Sequence, residues 1–395
     1  MAHGRLVAGI ALLFAVAGSA AAQPGGFAPV PPGPLPYAPV PGAQPFVPPG
    51  VPGIVPTAFA DDHPPMRDLG KLGDIVPPPD KHHGGGHGNG HGEHEIDGFM
   101  TPFLPHHGGW YVGAEFLLMR PRNTDLDFVV RSSVPGLSTN GPIESLKYGL
   151  GTGLRIEGGY RFGEGKWESA FAYTYFNGSG DASAFAGPNS VLLPTITRPG
   201  LTDRATSAIV NADLDYNLFD ILMARRVHVD EHFAIRWIGG FRLTEIKQTF
   251  NAFYDGADAR RAAVNTRSSF EGFGPIVGGE AVLVGWNGLH LYGRATGGLV
   301  TGRNTNRLIE TNDNGGTTYT NTRYDVRKVV PMGSLALGGG WQYKSISIRA
   351  GYEVTHWQGI FERPRFVDDV SRGKVVTRPA NLTLEGLFIQ VGLSF

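Results

Sequence analysis

Over residues 381–395 (NLTLEGLFIQVGLSF) the side chains come to alternate without a break. Leu387, Ile389, Val391, Leu393 and Phe395 fall on one side; Gly386, Phe388, Gln390, Gly392 and Ser394 fall on the other. Neighbouring residues of an extended strand point to opposite faces, so this stretch is a strand with one continuous apolar face. Either a soluble core or lipid can receive such a face. The rest of the chain decides which, because it repeats the device.

From Gly109 onward the same period recurs. Trp110, Val112, Ala114, Phe116 and Leu118 lie opposite Gly113 and Glu115. Over residues 148–162, Tyr148, Leu150, Leu154, Ile156, Tyr160 and Phe162 alternate with glycines, Arg155, Glu157 and Arg161. A third strand starts at Trp167, with Phe171, Tyr173 and Tyr175 opposite Glu168, Ala170, Ala172 and Thr174. The fourth, near 206–225, carries Asp213, Asp215, Asn217 and Asp220 at polar positions; its parity shifts near Phe219, which predicts a bulge. The fifth, 233–243, sets Phe233, Ile235, Trp237 and Phe241 against Arg236, Gly240 and Arg242. Further strands are expected near 270–284, 289–300, 328–343 and 346–357, and the closing strand makes ten.

The connections alternate too. Short turns near 163–166, 229–231, 286–288 and 344–345 are separated by long segments near 121–147, 177–205, 246–268, 301–326 and 358–380. Tight turns at one end and long loops at the other are the habit of transmembrane barrels. Of the prolines beyond Gly109, only Pro275 and Pro331 fall within strands. Aromatics add a third sign: Trp110, Tyr160, Trp167, Trp286, Trp341, Tyr343 and Phe395 sit near the turn ends, and Tyr175, Tyr352 and Trp357 toward the loop ends. Two aromatic girdles at the lipid boundaries produce this spacing. The predicted fold is therefore all-β, an antiparallel up-and-down transmembrane barrel of about ten strands.

Composition narrows the functional classes. The 395 residues contain 34 Lys and Arg against 35 Asp and Glu, so no basic excess points to nucleic acid. Cysteine is absent, which removes disulfides, thiolate metal sites and thiol nucleophiles together. Residues 1–22 form a secretory signal: Arg5, an apolar run from Leu6 to Val16, then alanines 20–22 before Gln23. Residues 23–108 hold 20 of the 30 prolines and are expected to be an extended, disordered arm, a spacer with a possible cell-wall or periplasmic partner. Within it, His82, His83, His87, His91 and His94 stand on a glycine-rich backbone that can hold Zn, Ni or Cu weakly, or serve only as solvated spacer. No other cofactor is expected.

Two motifs are set aside. His228-Val229-Asp230-Glu231-His232 matches the H-x-x-E-H zinc-peptidase string, but that chemistry needs a helix and this string lies at a strand turn. Alternate glycines at 149, 151 and 153 lack the strand–loop–helix setting of a phosphate loop. His356 with Glu362 and Asp368 is the nearest approach to a rim catalytic group, and no enzyme is expected.

The segments GGWYVGAEFLLMRPR (108–122), LGTGLRIEGGYRF (150–162), LDYNLFDILMARR (214–226), GLHLYGRATGGLVTG (288–302), SIRAGYEVTHW (347–357) and LEGLFIQVGLSF (384–395) resemble the Legionella major outer membrane protein-like family of pore-forming barrels. Some also resemble planctomycete β-barrel porins. The terminal Phe395 is similar to the C-terminal signal by which such barrels engage the barrel assembly machinery. The resemblance covers roughly 109–395 and implies an outer-membrane barrel with porin-like activity in a Gram-negative-type bacterium, its arm in the periplasm.

Turning the polar alternates inward puts Glu115, Arg155, Glu157, Arg161, Glu168, Asp213, Asp215, Asp220, Arg236, Arg242, Glu280, Arg294, Arg349 and Glu353 on the lumen wall. A charge facing hydrocarbon costs roughly 2–4 kcal/mol at mid-depth, so water or opposite charge must receive them. The favoured reading is a hydrated pore passing small hydrophilic solutes or ions, with Arg and Glu on the wall setting selectivity; the alternative is an ion-pair network that plugs the barrel and leaves it to anchor the arm and display loops. About eight strands leave an interior that side chains fill, and ten leave little more. Small or no constitutive conductance is the expectation from strand number.

Overall fold

The computed structural model describes residues 108–395, except 134–138, 163–165, 230–231, 286, 369 and 372 and the side chain of His228. The signal segment, the proline-rich arm and the histidine tract 82–94 lie outside the described residues. Ten long strands close into a ring. In ring order they are β1 (Gly109–Asn123), β13 (Val375–Ser394), β12 (Ile346–Phe366), β11 (Thr317–Tyr343), β10 (Leu289–Asn312), β9 (Ala259–Val284), β8 (Phe233–Gly256), β7 (Ser207–His228), β5 (Trp167–Phe185) and β4 (Gly151–Phe162). Three short strands, β2 (Asp127–Ser132), β3 (Ile143–Ser145) and β6 (Val191–Pro194), form a separate sheet in the order β3-β2-β6.

Each neighbour is antiparallel, and the seam between first and last strands runs from Tyr111–Ser394 to Asn123–Leu382. Gly386 shows why the seam is close: a Cβ there would meet the Leu118 carbonyl oxygen at 2.1 Å. Pro275 has no N–H to give. The β9–β10 ladder skips a step around it, with pairs at Ile276–Gly298 and Phe273–Thr301 and none between.

The outward face changes character along every long strand. Below lie Phe219, Ile221 and Met223 on β7; Trp237, Phe241 and Leu243 on β8; Phe273 and Val277 on β9; Leu335 and Leu337 on β11, all exposed. Above them the outward positions become Asn217, Glu245, Glu271, Arg303 and Arg327. Exposed apolar side chains in a continuous belt mark the lipid-facing band, and the polar step marks its outer edge. Trp110, Trp167, Trp341, Tyr343 and Phe395 ring the turn end. Trp110 meets Tyr160 edge-on at 5.1 Å, and Trp341 stacks on Tyr343 at 5.8 Å.

Several expectations need correction. The segments 177–205 and 358–380 are partly strand: β5 runs to Phe185, β6 lies within the first, and β12 and β13 stay paired from Phe361–Ala380 to Phe366–Val375. Pro121, Pro194, Pro364 and Pro379 lie in strands as well as Pro275 and Pro331. The segments 246–268 and 301–326 are not loops. They continue β8 and β9, and β10 and β11, to tight turns at Gly256–Ala259 and at a 3-10 turn, Asp313–Gly315. No bulge interrupts β7, which pairs in unbroken register with both neighbours. Its apolar residues change sides instead: Leu214, Tyr216 and Leu218 point inward above the lipid, Phe219, Ile221 and Met223 outward within it. Asp213 and Asp215 therefore face outward, in water above the band, not into the lumen. Trp357 does not belong to the upper girdle; the inward parity of Glu353 and Thr355 carries it into the lumen, fully buried.

Candidate functional site

The lumen is where strand geometry gathers polar chemistry. Inward parity on β1 brings Glu115 beside Arg155 of β4, its direct register partner. Arg155 Nη1 donates to Glu115 at 2.5 Å, and its two terminal nitrogens reach Glu353 of β12 at 3.0 and 2.9 Å. Arg294 of β10 donates at 2.9 Å to Glu353 Oε2, which Arg155 Nη1 also reaches, and the Thr355 hydroxyl donates to Oε1 at 3.2 Å. This lattice of four charged residues and a threonine crosses the lumen from β4 to β12 and from β12 to β10, strands that are not neighbours.

A second cluster lies toward the turn end. Glu168 of β5 accepts from Arg236 of β8, with Arg161 Nε at 3.6 Å and Arg226 Nη2 at 3.8 Å. Arg236 also lies 3.8 Å from Glu157, and the Arg161 guanidinium rests 4.6 Å from the Tyr111 ring centre. Glu280 of β9 pairs across the lumen with Arg349 of β12 at 3.1 Å, and Arg349 covers the Tyr292 ring at 4.4 Å. Asp220 and Arg242, register partners on β7 and β8, form a fork of two 2.7 Å bonds. Arginine's planar fork suits such bidentate pairing and stays charged when buried.

Next come groups that bridge the whole width. Trp357 Nε1 donates to the Tyr216 hydroxyl at 3.1 Å, and their rings meet edge-on at 6.3 Å. β12 and β7 are five places apart in a ring of ten, so this bond joins opposite walls. Phe176, Leu117, Ile246, Phe250 and Phe270 are all inside and fully buried. Between the ionic lattice and this layer a cavity of about 60 Å³ remains, bounded by Arg155, Tyr216, Asp220, Arg236, Arg294 and Glu353. A water needs roughly 10–15 Å³ of such space, so the cavity holds a handful of waters.

The small sheet β3-β2-β6 closes the upper end. Leu126, Phe128, Val129, Leu146 and Leu192 join the same buried cluster as Tyr254, Val264 and Leu308 of the wall. Tyr254 donates to the Phe128 carbonyl at 2.7 Å. Arg365 of β12 holds Asp125 and Asp127 at 2.5 and 2.9 Å, and Arg363 reaches the Asp125 carbonyl. Glu310 of β10 accepts the Arg198 backbone N–H at 3.0 Å. Burial pushes the Glu310 carboxyl up to about 7.

Of the lumen candidates, Glu115, Arg155, Glu157, Arg161, Glu168, Asp220, Arg236, Arg242, Glu280, Arg294, Arg349 and Glu353 point inward and meet in these clusters; Asp213 and Asp215 do not. Sequence reasoning overlooked Arg226, Tyr216 and Trp357. Each shares parity with a residue it did place inward, Asp220 or Glu353, and that was the available signal. His356 faces outward with Nδ1 2.8 Å from the Thr383 hydroxyl, Glu362 accepts from Lys328 at 3.0 Å, and Asp368 accepts from the Ser371 N–H. Those three have separate partners. Among the described residues no group of three or more His, Asp or Glu side chains is placed to hold a metal; Asp230 and Glu231 of the zinc-like string lie outside them.

A closed antiparallel ring with an apolar outer belt, aromatic girdles and inward charges defines an outer-membrane β-barrel. The family model described as the Legionella pneumophila major outer membrane protein precursor matches residues 103–395. The chain belongs to that family. No match was found among curated protein sequences. Similar solved structures include the outer membrane protease OmpT from Escherichia coli, at 10% identity over 73% of this chain and 97% of that one, TM-score 0.44. The Pseudomonas putida toluene transporter TodX matches at 9% identity over 77% and 93%, TM-score 0.29. A Pseudomonas aeruginosa FadL homologue matches at 8% over 73% and 90%, TM-score 0.23.

Proposed function

We propose that this protein is a sealed outer-membrane barrel that anchors its proline- and histidine-rich arm in the periplasm and displays tall extracellular hairpins, without constitutive conductance and without enzymatic activity. The observation that carries the reading is the bond from Trp357 to Tyr216 between opposite walls, above an ionic lattice that leaves a cavity of only about 60 Å³. No hydrated solute fits through a lumen bridged at its full width. The capping sheet supports the same reading, because its apolar side chains are packed into the barrel wall. Planar-bilayer recording of the refolded full chain is the test. A flat trace is expected; steps of uniform size in the unmodified protein overturn the proposal.

Porin-like passage of small hydrophilic solutes or ions is the second reading. It draws on the character of the filling, which is charged and of both signs in the lower lumen, as in Arg155, Arg236, Glu168 and Glu353. An ionic lattice can exchange partners with entering water in a way an apolar plug cannot. That reading predicts current steps, with ion preference altered by charge reversal at Arg155 and Arg236.

A further inference from the structure

We propose that the outer wall formed by β9, β10 and β11, just above the apolar band, is a binding site for a phosphorylated glycolipid of the outer leaflet. The argument begins with register. Arg307 of β10 lies directly opposite Arg267 of β9 on one side and Arg323 of β11 on the other. Four residues nearer the lipid, Arg303 lies opposite Arg327 on β11 and Glu271 on β9. All five arginines point outward and are exposed. Like charges directly opposite on a sheet are destabilising, yet here they occur three times within two rows.

The local carboxylates relieve this only in part, through Glu271 opposite Arg303 and Asp325 beside Arg323 and Arg303. Asp325 pairs with Arg323 at 3.2 Å. Among the described residues, Arg267, Arg303, Arg307 and Arg327 have no carboxylate within ion-pair distance. On the neighbouring wall the sign is reversed: Asp181, Asp213 and Asp215 occupy the outward positions of β5 and β7 at the corresponding height, so the basic patch is confined to one sector.

Depth selects the occupant. Arg303 is one outward position above Thr301 and two above the exposed Leu299, where the hydrocarbon ends and headgroup phosphates begin. Four residues at about 3.3 Å along a strand tilted about 40° raise the second row by about 10 Å. A lipid with a single phosphate reaches one row. A sugar headgroup carrying phosphates at two depths reaches both, and guanidinium forks pair with phosphate oxygens two at a time. Between the rows Ser269 points outward with a hydroxyl for the sugar, while Thr305 is held by its register partner Asp325, the one carboxylate lying between the two arginine rows on β11.

The test uses the full chain in detergent micelles, with diphosphoryl lipid A as the probe and native mass spectrometry as the readout. Retention of one lipid A per barrel is expected, with affinity reduced at least tenfold in R303Q/R307Q, largely restored in R303K/R307K, and unchanged in D213N/D215N. Lipid A stripped of both phosphates is expected not to bind the unmodified protein, a comparison that needs no variant. Equal retention by R303Q/R307Q overturns the proposal. So does displacement by phosphatidylglycerol at equal charge, or by millimolar inorganic phosphate, either of which makes the patch a general anionic surface. Cross-linked oligomers that are lost in D213N/D215N also overturn it, because a second copy's acidic wall is then the occupant.

Discussion

Arg155 is the side chain on which most of the lumen lattice converges, and its environment fixes what its loss does. It stands between Glu115 and Glu353, both almost fully buried. Removing one member of a buried ion pair strands the other charge, at about 3–5 kcal/mol. Arg155→Met is therefore expected to lower the unfolding midpoint in micelles sharply, whereas R155M combined with E115Q, which removes the stranded carboxylate and leaves Glu353 with Arg294, recovers part of the loss. Glu310 behaves differently, because it lies in the extension above the lipid with burial outweighing its one backbone partner. A folded-state pKa raised to about 7 means the stability linked to its proton is full below about 4.5 and lost as pH rises through 7. From pH 4.5 to 8 the unmodified protein should lose up to about 3 kcal/mol relative to E310Q, read as diverging thermal midpoints.

At the scale of the strand, glycine's role depends on which way it points. Inward or at the seam it is required: Gly386→Ala puts a methyl 2.1 Å from the Leu118 oxygen, so the closing strand cannot lie against β1. The outward Gly297 has nothing nearer than 3.8 Å to a Cβ. Gly386→Ala should sharply reduce the compact, heat-modifiable form on gels, and Gly297→Ala should leave it within about 0.5 kcal/mol of normal stability. The same scale explains what the sequence disclosed and what it hid. Within the lipid, apolar residues face out and charges face in, and the ten strands were legible from that alternation. Above the lipid the rule inverts. On β8, Ile246, Phe250, Ala252 and Tyr254 turn inward while Glu245, Lys247 and Asn251 face water. A strand leaving the bilayer thus keeps its parity and swaps its apolar face, which looked like a bulge in β7 and like loops in 246–268 and 301–326. The lumen charges were legible because charge cannot face hydrocarbon; Trp357 and Tyr216 were not, since an aromatic near the interface suits either face.

At the scale of the molecule, strand length exceeds what a membrane needs. β9 has 26 residues, about 86 Å of strand and about 65 Å of height at a 40° tilt, against an apolar band of about 25 Å. The barrel should stand about 40 Å above the hydrocarbon edge and about 30 Å clear of the headgroups, a step that atomic force microscopy of reconstituted bilayers measures directly; a height near 10 Å contradicts the continuous ladders of β8 to β11.

The joint between β1 and β13 carries a consequence for how the molecule is made. Its two halves come from opposite extremes of the ring-forming sequence, so every hairpin between them can zip locally while these two edges wait. Until they meet, the growing sheet exposes two rows of unmated amides and carbonyls, which hydrocarbon does not tolerate. Sealing of the sheet is thus the last step, and any route into the bilayer has to keep both raw margins out of hydrocarbon until the final stave arrives.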